Sequence, residues 1–445
     1  MMEIQKLVRF NDWWKTGDVP KDLLEEYKRP LYDEILKYMA DRQILAVIGL
    51  RRVGKTTLMY QLIQYLLEGI ERKCILYFSF DEEPFDIEEV LEAYRELILK
   101  KGWREPGKVY IFLDEVQKVD GWQDKIKIYY DLYPNLKFIV SGSASLIIEK
   151  KAKESLAGRL YDFRLDPLTF REFLSFKKFD AQEAEYGLSD SFKEIEKDYD
   201  KLVLFESELK TFLNEYLFKG GFPEVINEDN EEKVKRYIKN SVVDKIVYTD
   251  IPKTFKIEEP EVLLILLRII ANTPGLLIDY KTLANNLGKN RKTISSYFHY
   301  LQKSFLILFV SNFSGSFLAS ARKLKKAYVQ DTGITNTLMD RGIDERVIGM
   351  LVENLIVTKI KPHFFWKRNY EVDMILTEDK KVLPVEIKYQ GQISKKDLLG
   401  ILAFCKKFEL KRGIVVTKDL FKKEEINGKE ILFIPAWLFL LSMKS

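Results

Sequence analysis

The chain has 445 residues, more than one hydrophobic core usually supports, so roughly two to four domains are expected. Hydrophobic residues make up 46% and charged residues 31%, which excludes a disordered chain and favours a globular, soluble one. The formal net charge of +4 does not demand a nucleic-acid partner, and no apolar stretch of membrane-spanning length is free of charges, so no membrane association is expected.

Residues 1–35 are polar and aromatic and lack the hydrophobic core of a signal peptide. We expect them to form a leader helix that packs against the domain that follows. Cys74 and Cys405 lie in apolar contexts without metal-ligand spacing. This cysteine usage fits a reducing, cytoplasmic setting.

A glycine-bounded loop from Gly49 to Thr56 follows the apolar run Ile44–Ile48 and leads into a helical segment. Its G-x-x-x-x-G-K-T spacing is that of the phosphate-binding loop of nucleotide hydrolases. Backbone N–H groups of such a loop bind phosphates, its lysine contacts the β- and γ-phosphates, and its threonine ligates Mg²⁺. The sequence therefore predicts that ATP and Mg²⁺ are held by Gly49, Arg51, Arg52, Val53, Gly54, Lys55, Thr56 and Thr57.

A second apolar run, Val109–Leu113, ends in the carboxylates Asp114 and Glu115. A run that is apolar on both faces predicts a central strand of a parallel sheet, and such sheets place ligands at the C-terminal ends of their strands. Asp114 is predicted to hold the Mg²⁺ shell, and Glu115 to orient or deprotonate the attacking water. The alternative is a surface Asp-Glu pair.

Strand-like and helical segments alternate through this region, which predicts βαβ units with a parallel sheet. The fourth strand ends in Ser141-Gly142-Ser143. We predict that Ser141, with Ser143 as second choice, contacts the γ-phosphate or the attacking water; a turn serine is the alternative. The five predicted strands are Ile44–Ile48, Cys74–Phe80, Val109–Leu113, Lys137–Ser141 and Leu160–Leu165.

Arg159 stands just before the fifth predicted strand. From there it is predicted to reach a γ-phosphate across a subunit boundary, as an arginine finger does. The alternative is a surface arginine, or one paired with a local carboxylate.

Residues 166–250 are helical and strongly charged, and we predict a lid. Asp166–Phe173 is typical of a turn that caps a helix. Gly220–Glu224 interrupts the helical pattern. It is a sharp turn over the nucleotide or, equally, a simple turn between helices.

Residues 251–335 show helix-turn-helix spacing: Tyr280–Leu287 is a short helix, a turn follows, and Arg291–Leu301 is the next helix. Lys289, Arg291 and Lys292 lie at the turn and at the start of that helix, where they suit contacts with DNA phosphates and base edges. The basic strip Arg322–Lys326 is expected to extend the contact along the phosphates. The alternative is a winged-helix module that only joins domains.

Two alternating runs near the C-terminus, Asn369–Leu376 and Val385–Tyr389, predict a hairpin. Alternate residues of a strand share a face, so Asp373, Glu386 and Lys388 are expected to converge on one site. Glu353, from an upstream helix, is a plausible fourth member. Carboxylates suit Mg²⁺ and a lysine can position a water, so a nuclease metal site is predicted; an ordinary charged sheet face is the alternative.

Taken in order, these motifs resemble prokaryotic, largely archaeal, AAA-type ATPases with a C-terminal PD-(D/E)XK nuclease-like domain, although Val372 stands where that family's motif has proline. The resemblance implies an α/β protein with a P-loop AAA+ core, a helical lid, a winged helix and a restriction-endonuclease-like α/β domain. It also implies ATP hydrolysis, homo-oligomers or rings, and work on DNA. The expected boundaries are 1–35, 36–165, 166–250, 251–335 and 336–445.

Three functions remain open at this point. The first is a DNA-acting ATPase, a motor or remodeller in recombination, repair or mobile-element processes. The second is a nucleotide-switched regulator or scaffold that binds a protein partner. The third is an ATP-gated, Mg²⁺-dependent nuclease.

Overall fold

The computed structural model describes residues 4–83, 85–143, 155–179, 192–314, 324–342, 344–378 and 381–443. The chain divides into two compact units. The N-terminal unit comprises Met1–Asp166 with Lys253–Lys256, and the C-terminal unit comprises Pro167–Pro252 with Ile257–Ser445. Within the described residues, no helix is long and apolar enough to cross a membrane.

The N-terminal unit is built on a five-stranded parallel sheet with the order β2-β3-β4-β1-β5. Its first four strands are buried along their whole length, as their continuous apolar runs predict. The first and the last residue of each strand lie within one residue of the positions predicted from the sequence. The strands are Ile44–Ile48 (β1), Ile75–Ser79 (β2), Val109–Asp114 (β3), Leu136–Gly142 (β4) and Leu160–Arg164 (β5).

Helices connect β1 to β2, β2 to β3 and β3 to β4, as expected for parallel strands. The fifth helix continues as a π-helix over Arg95–Leu99. The helices are Ile4–Arg9 (α1), Trp13–Thr16 (α2), Pro30–Leu36 (α3), Lys55–Leu67 (α4), Ile87–Tyr94 (α5) and Trp122–Leu132 (α6).

The leader packs against the edge strand β2. The Asn11 side chain donates to the Tyr77 carbonyl at 2.8 Å and accepts from the Tyr77 N–H at 2.7 Å, so it mimics one rung of a β-ladder. The indole N–H groups of Trp13 and Trp14 both donate to the Ile75 carbonyl. The leader thus satisfies backbone groups of an edge strand that would otherwise be unpaired.

Lys137, on β4, fixes the chain where it enters β1. Its side chain is fully buried, and its ammonium donates to the carbonyls of Tyr38, Asp41 and Gln43 at 2.6–2.9 Å. Burial lowers the pKa of Lys137 to about 7, and the three carbonyl acceptors compensate the ammonium for part of its lost hydration.

The helices after residue 166 are short to medium in length, and π-helical turns over Ile238–Val243 and Ile246–Asp250 lie among them. They are Phe170–Phe176 (α7), Phe192–Leu202 (α8), Glu206–Lys219 (α9), Glu231–Tyr237 (α10), Ile251–Phe255 (α11), Pro260–Asn272 (α12), Tyr280–Asn286 (α13), Arg291–Lys303 (α14), Thr332–Leu338 (α15), Glu345–Ile360 (α16), Leu399–Lys407 (α17) and Ala436–Ser442 (α18).

The C-terminal unit contains a nine-stranded mixed sheet with the order β13-β14-β12-β11-β10-β9-β7-β8-β6. Parallel pairing of β7 with β9 joins the strands of the 251–335 region to those of the C-terminal region. The strands are Leu276–Leu277 (β6), Ile307–Asn312 (β7), Lys325–Val329 (β8), Phe364–Lys367 (β9), Glu371–Glu378 (β10), Lys381–Lys388 (β11), Arg412–Thr417 (β12), Lys422–Ile426 (β13) and Lys429–Pro435 (β14).

One of the hydrophobic clusters of the C-terminal unit crosses the expected domain boundaries. Phe173 and Leu213, from the predicted lid, lie in the same buried cluster as Leu355 and Trp437, from the predicted last domain. The compact unit therefore spans the expected boundaries near residues 250 and 335. The physical reason is that the apolar faces of α7 and α9 are buried against α16 and α18 rather than in a core of their own.

The Gly220-Gly221 turn is part of this packing. Gly220 has a φ of +70°, and a Cβ there would lie 2.0 Å from the Asp331 carboxylate. Asp331 is fully buried, accepts from the Gly221 N–H at 2.9 Å, and caps α15 through the Gly333 N–H at 2.8 Å. The turn is therefore held inside the C-terminal unit by Asp331, which agrees with a turn between packed elements.

Candidate functional site

The glycine-bounded loop joins β1 to α4, as predicted, and its two glycines are required for different reasons. Gly54 has a φ of +95°, a left-handed conformation that disfavours a side chain. Gly49 is needed for space, because a Cβ there would lie 2.1 Å from the Leu165 carbonyl oxygen. Leu165 follows β5 and donates its N–H to Ile48, so the end of β5 presses against the start of the loop.

Thr56 and Asp114 meet across the C-terminal edge of the sheet. The Thr56 hydroxyl donates to Asp114 Oδ2 at 2.6 Å, and the Tyr77 hydroxyl donates to the same oxygen at 2.9 Å. Asp114 is only 2% exposed. The hydroxyl and the carboxylate thus lie side by side, and such oxygen donors are suited to a Mg²⁺ ion and its water ligands.

Lys55 lies at the start of α4 and is 5% exposed. Its ammonium donates to the Leu50 carbonyl at 3.0 Å and lies 3.7 Å from Glu115 Oε1. The predicted phosphate-binding lysine and the predicted water-activating carboxylate are therefore neighbours.

Ser141 bridges the two predicted acidic residues, as expected from its place at the end of the adjacent strand. Its hydroxyl donates to Asp114 Oδ1 and accepts from the Glu115 N–H. Gln117, which the sequence did not single out, donates to Glu115 Oε2 at 2.5 Å. Ser143, the second choice, is buried just beyond the end of β4.

The remaining loop residues surround this centre. Val53 is buried, Thr57 is half-buried, and Arg52 is exposed with a φ of +67°. Burial raises the pKa of Asp81, but the hydrogen bond from Lys118 outweighs it, and the charges of Arg51 and Arg52 add to the lowering. The two loop arginines therefore share their surroundings with a carboxylate that follows β2.

Arg159 lies at the other end of the sheet. It precedes Leu160, which pairs with Ile44 at the beginning of β1, whereas the loop follows the end of β1. Its guanidinium makes a two-pronged contact with Asp131, at 3.0 and 3.3 Å. This is the local carboxylate pairing named as the alternative, so Arg159 does not join the phosphate loop of its own chain.

Arg29, in contrast, was not predicted and lies beside the loop. It is 9% exposed, and its Nη1 donates to the carbonyls of Val53 at 3.2 Å and Asp166 at 2.8 Å. A lone arginine in a polar leader carries no sequence signal of this contact, because the two acceptors are backbone atoms.

In the predicted DNA-binding helix, Arg291 and Lys292 are exposed at the first turn of α14. Asn290 caps this helix through the Thr293 N–H at 2.8 Å. Lys289 is different because its ammonium bonds both oxygens of Glu259, at 2.6 and 2.7 Å. Its charge is therefore balanced within the chain.

The C-terminal residues do converge. Asp373 on β10 accepts from the Ile387 N–H at 2.9 Å, and Lys388 lies 2.5 Å from Glu386 and 3.9 Å from Asp373. Glu353 joins them from α16, through Lys326. We call Glu353, Glu371, Asp373 and Glu386 the acidic cluster.

Lys326 contradicts its predicted role as a surface phosphate contact. Its side chain is 5% exposed, and its ammonium lies 2.5 Å from Glu371, 3.6 Å from Glu353 and 3.7 Å from Asp373. A charge strip in sequence does not reveal which way a strand residue faces, and β8 turns Lys326 inward. Arg322 and Lys323, from the same strip, lie outside the described residues.

The pKa values of the cluster follow from burial and close charges. Burial, together with Asp373, raises the pKa of Glu353 to about 6. Burial and the Asp373 charge also raise the pKa of Glu386, against the opposing effect of Lys388. Burial disfavours the charge on Lys326, but Glu353, Asp373 and Glu371 outweigh it and raise its pKa.

The predicted nuclease metal site does not fit this arrangement directly. Within the described part of the chain, no group of three or more His, Cys, Asp or Glu side chains is placed to hold a metal ion. One Glu386 oxygen, Oε2, is buried without a hydrogen-bond partner. A cavity of about 590 Å³ lies beside the cluster and is lined in part by Glu353, Lys388, Arg346 and Lys418.

Comparison with known families supports an AAA-family ATPase domain in this chain. Residues 41–174 match the model described as "AAA domain", which covers the phosphate loop, Asp114 and Arg159. Residues 210–346 and 344–438 match two families described only as domains of unknown function, DUF8612 and DUF4143.

Similar full-length proteins occur in both archaea and bacteria. An uncharacterized protein of Methanocaldococcus jannaschii, MJ1544, is 28% identical over 421 residues, covering 90% of this chain and 88% of the relative. An uncharacterized protein of Haemophilus influenzae is 25% identical over 439 residues, covering 92% and 98%. Among solved structures, C. elegans PCH-2 matches 38% of this chain and 49% of its own at 14% identity, with a TM-score of only 0.27.

Proposed function

We propose that the chain is an ATP-hydrolysing protein that acts on DNA, with hydrolysis in the N-terminal unit and DNA binding in the C-terminal unit. One observation supports hydrolysis above the others: Thr56 and Ser141 both donate to the Asp114 carboxylate, and Lys55 lies 3.7 Å from Glu115. The AAA-domain match over residues 41–174 agrees with this proposal.

The donor set fits ATP with Mg²⁺. Thr56 and Asp114 would hold the ion, which supplies charge neutralisation at the β- and γ-phosphates. Lys55, moved from the Leu50 carbonyl, would contact the same phosphates. Backbone N–H groups at the start of α4 would receive the remaining phosphate oxygens.

Glu115 is the proposed base or orienting group for the attacking water, and Gln117 holds one of its oxygens. Glu115 itself has a φ of +56°, so the chain turns sharply where β3 ends and places this carboxylate beside Lys55. Ser141 is proposed to transmit the state of the γ-phosphate, because it already bonds both Asp114 and the Glu115 backbone.

Arg159 acts, in this proposal, on a neighbouring copy in a homo-oligomer such as a ring. Because Arg159 lies at the opposite end of the sheet from the phosphate loop of its own chain, such a role would have to be in trans. Its ion pair with Asp131 is partly exposed and so can be exchanged for another anion at modest cost.

The DNA proposal rests on the order of elements from Pro260 to Val329. They run α12, β6, α13, α14, β7, β8, with β6 and β7 both antiparallel to β8. This order is compatible with a winged helix, whose third helix would lie in the major groove of DNA. Arg291 and Lys292 are exposed at the start of that helix.

The experiment compares duplex-stimulated ATP hydrolysis and duplex affinity in the wild type, in Arg291→Ala/Lys292→Ala and in Lys289→Ala. The double variant should weaken binding and lower the slope of log affinity against log salt by roughly one for each phosphate that is no longer neutralised. Lys289→Ala is the matched control and should change less, because Glu259 already neutralises Lys289. Equal stimulation in all three proteins would contradict DNA contact by α14.

A second candidate is a Mg²⁺-dependent nuclease in the C-terminal unit. The order α16, β9, β10, β11, α17, β12 is compatible with a restriction-endonuclease-like core, in which Glu353, Asp373, Glu386 and Lys388 would be the site residues. Among the described residues, the buried Oε2 of Glu386 has no hydrogen-bond partner, which favours this candidate. A metal ion would bind there only after the Lys326 ammonium leaves the carboxylates of Glu353, Glu371 and Asp373. Cleavage of duplex DNA with Mg²⁺ that is lost in Asp373→Ala or Lys388→Ala would support it, and unchanged cleavage would exclude this site.

A further inference from the structure

The acidic cluster already contains a cation that belongs to the chain. Lys326 reaches it from β8, a strand of the 251–335 region, and lies within 3.7 Å of three carboxylates, those of Glu371, Glu353 and Asp373. Only 5% of its side chain is exposed. The Lys326 ammonium therefore lies among the oxygens that a divalent ion would use.

The same strand closes the cluster from one side. Tyr328 is two residues further along β8, on the same face, and its hydroxyl donates to Glu353 Oε1 at 2.8 Å. Gly275 packs against this pair so closely that a Cβ there would lie 2.9 Å from Glu353 Oε1 and 3.0 Å from the Tyr328 hydroxyl. Lys326 also packs against an aromatic ring, since its ammonium lies 5.4 Å from the centre of the Phe365 ring.

We propose that Lys326 is the resident cation of the acidic cluster and excludes a divalent metal ion from it in this conformation. Like charges repel strongly at these separations in a buried site, so the ammonium and a metal ion cannot share the same carboxylates. Glu386 Oε2 is buried and has no hydrogen-bond partner among the described residues, so the cluster keeps an oxygen that could ligate a divalent ion once the Lys326 ammonium is removed.

Metal exclusion by Lys326 does not depend on DNA binding or on ATP hydrolysis. The cluster becomes a divalent-cation site only when the Lys326 ammonium is removed. The segment that delivers Lys326 is the wing side of the proposed winged helix, so the cluster and that element are coupled through β8.

The test measures Mn²⁺ binding to the nucleotide-free full chain. The concentration of free Mn²⁺ is read from its electron paramagnetic resonance signal. The proteins are the wild type, Lys326→Ala, Lys326→Ala/Asp373→Asn and Asp373→Asn. Lys326→Ala should bind Mn²⁺ at least about tenfold more tightly than the wild type, and adding Asp373→Asn should remove that gain. Lys367→Met is the matched control, since Lys367 also contacts Glu371, at 2.7 Å, but from the surface.

Two outcomes would overturn the proposal. One is a Mn²⁺ site in the wild type that Asp373→Asn abolishes. This comparison uses no Lys326 variant, so it can be made even if Lys326→Ala does not fold. The other is a folded Lys326→Ala that gains no Mn²⁺ affinity. Because no nucleotide or DNA is present, neither outcome can arise from failure of the proposed ATPase or DNA function.

Discussion

Glu353→Gln should change how the stability of the C-terminal unit depends on pH. Burial and the charge of Asp373 raise the pKa of Glu353 from 4.5 to about 6, so the folded state favours the protonated carboxyl. The corresponding stabilisation is complete below pH 4.5 and is lost as the pH rises through 6. A glutamine is neutral at every pH and escapes this loss.

The magnitude follows from the size of the pKa change. A carboxyl whose pKa rises from 4.5 to about 6 on folding loses about 2 kcal/mol, since one pKa unit is about 1.36 kcal/mol. Glu353 is 24% exposed on its side chain, so most of this free energy should be retained in solution. Between pH 4 and pH 7, Glu353→Gln should therefore gain about 2 kcal/mol of unfolding free energy relative to the wild type.

The assay is urea unfolding at several pH values. Unfolding is detected by hydrogen exchange in peptides from β10 and β11, so that only the C-terminal unit is measured. Glu371→Gln provides the contrast. Burial raises the pKa of Glu371, but the charges and hydrogen bonds of Lys326 and Lys367 lower it by more, so its net pKa is below the ordinary value. The wild type therefore gains stability from this carboxylate as the pH rises, and Glu371→Gln should lose stability relative to the wild type. If the difference in unfolding free energy between Glu353→Gln and the wild type does not change with pH, the pKa of Glu353 is not raised on folding.

Two further predictions concern the N-terminal unit, both measured by urea unfolding. Lys137→Met removes the ammonium that serves three carbonyls at 2.6–2.9 Å and should cost about 3 kcal/mol; no change would mean that these bonds contribute nothing net. Asn11→Ala leaves the Tyr77 N–H and carbonyl at the sheet edge without their partner and should cost about 2 kcal/mol, whereas the exposed Asp12→Ala should cost far less.

The parallel sheet and its nucleotide site could be predicted from the sequence because local signals determine both. Apolar runs predicted the five strands to within one residue, and the loop and the acidic strand end bring Thr56 beside Asp114 and Lys55 beside Glu115. Parallel strands bring their C-terminal ends to one edge, so Ser141 was also expected there. Arg29 donates to the backbone carbonyls of Val53 and Asp166, and no residue type in the sequence marks a backbone acceptor, so the place of Arg29 beside the loop was not predicted.

The C-terminal unit was harder because its organisation depends on contacts distant in sequence. The hairpin pattern predicted correctly that Asp373, Glu386 and Lys388 lie together. It could not show that β8, far upstream in the chain, delivers Lys326 to the same place. Nor could helix patterns show that the segment after residue 166 buries its apolar face against α16 and α18.

We propose that ATP is hydrolysed at the Asp114–Glu115 edge of the parallel sheet. The most direct measurement is the ATP turnover rate of the wild type beside that of Glu115→Gln, with the exposed Glu68→Gln as control. Glu115→Gln should still bind ATP, because Lys55, Thr56 and Asp114 are unchanged, while its turnover should fall by at least about 10²-fold. ATP turnover at the wild-type rate in Glu115→Gln would contradict the role of Glu115. ATP turnover no higher than background in the wild type would contradict ATP hydrolysis itself.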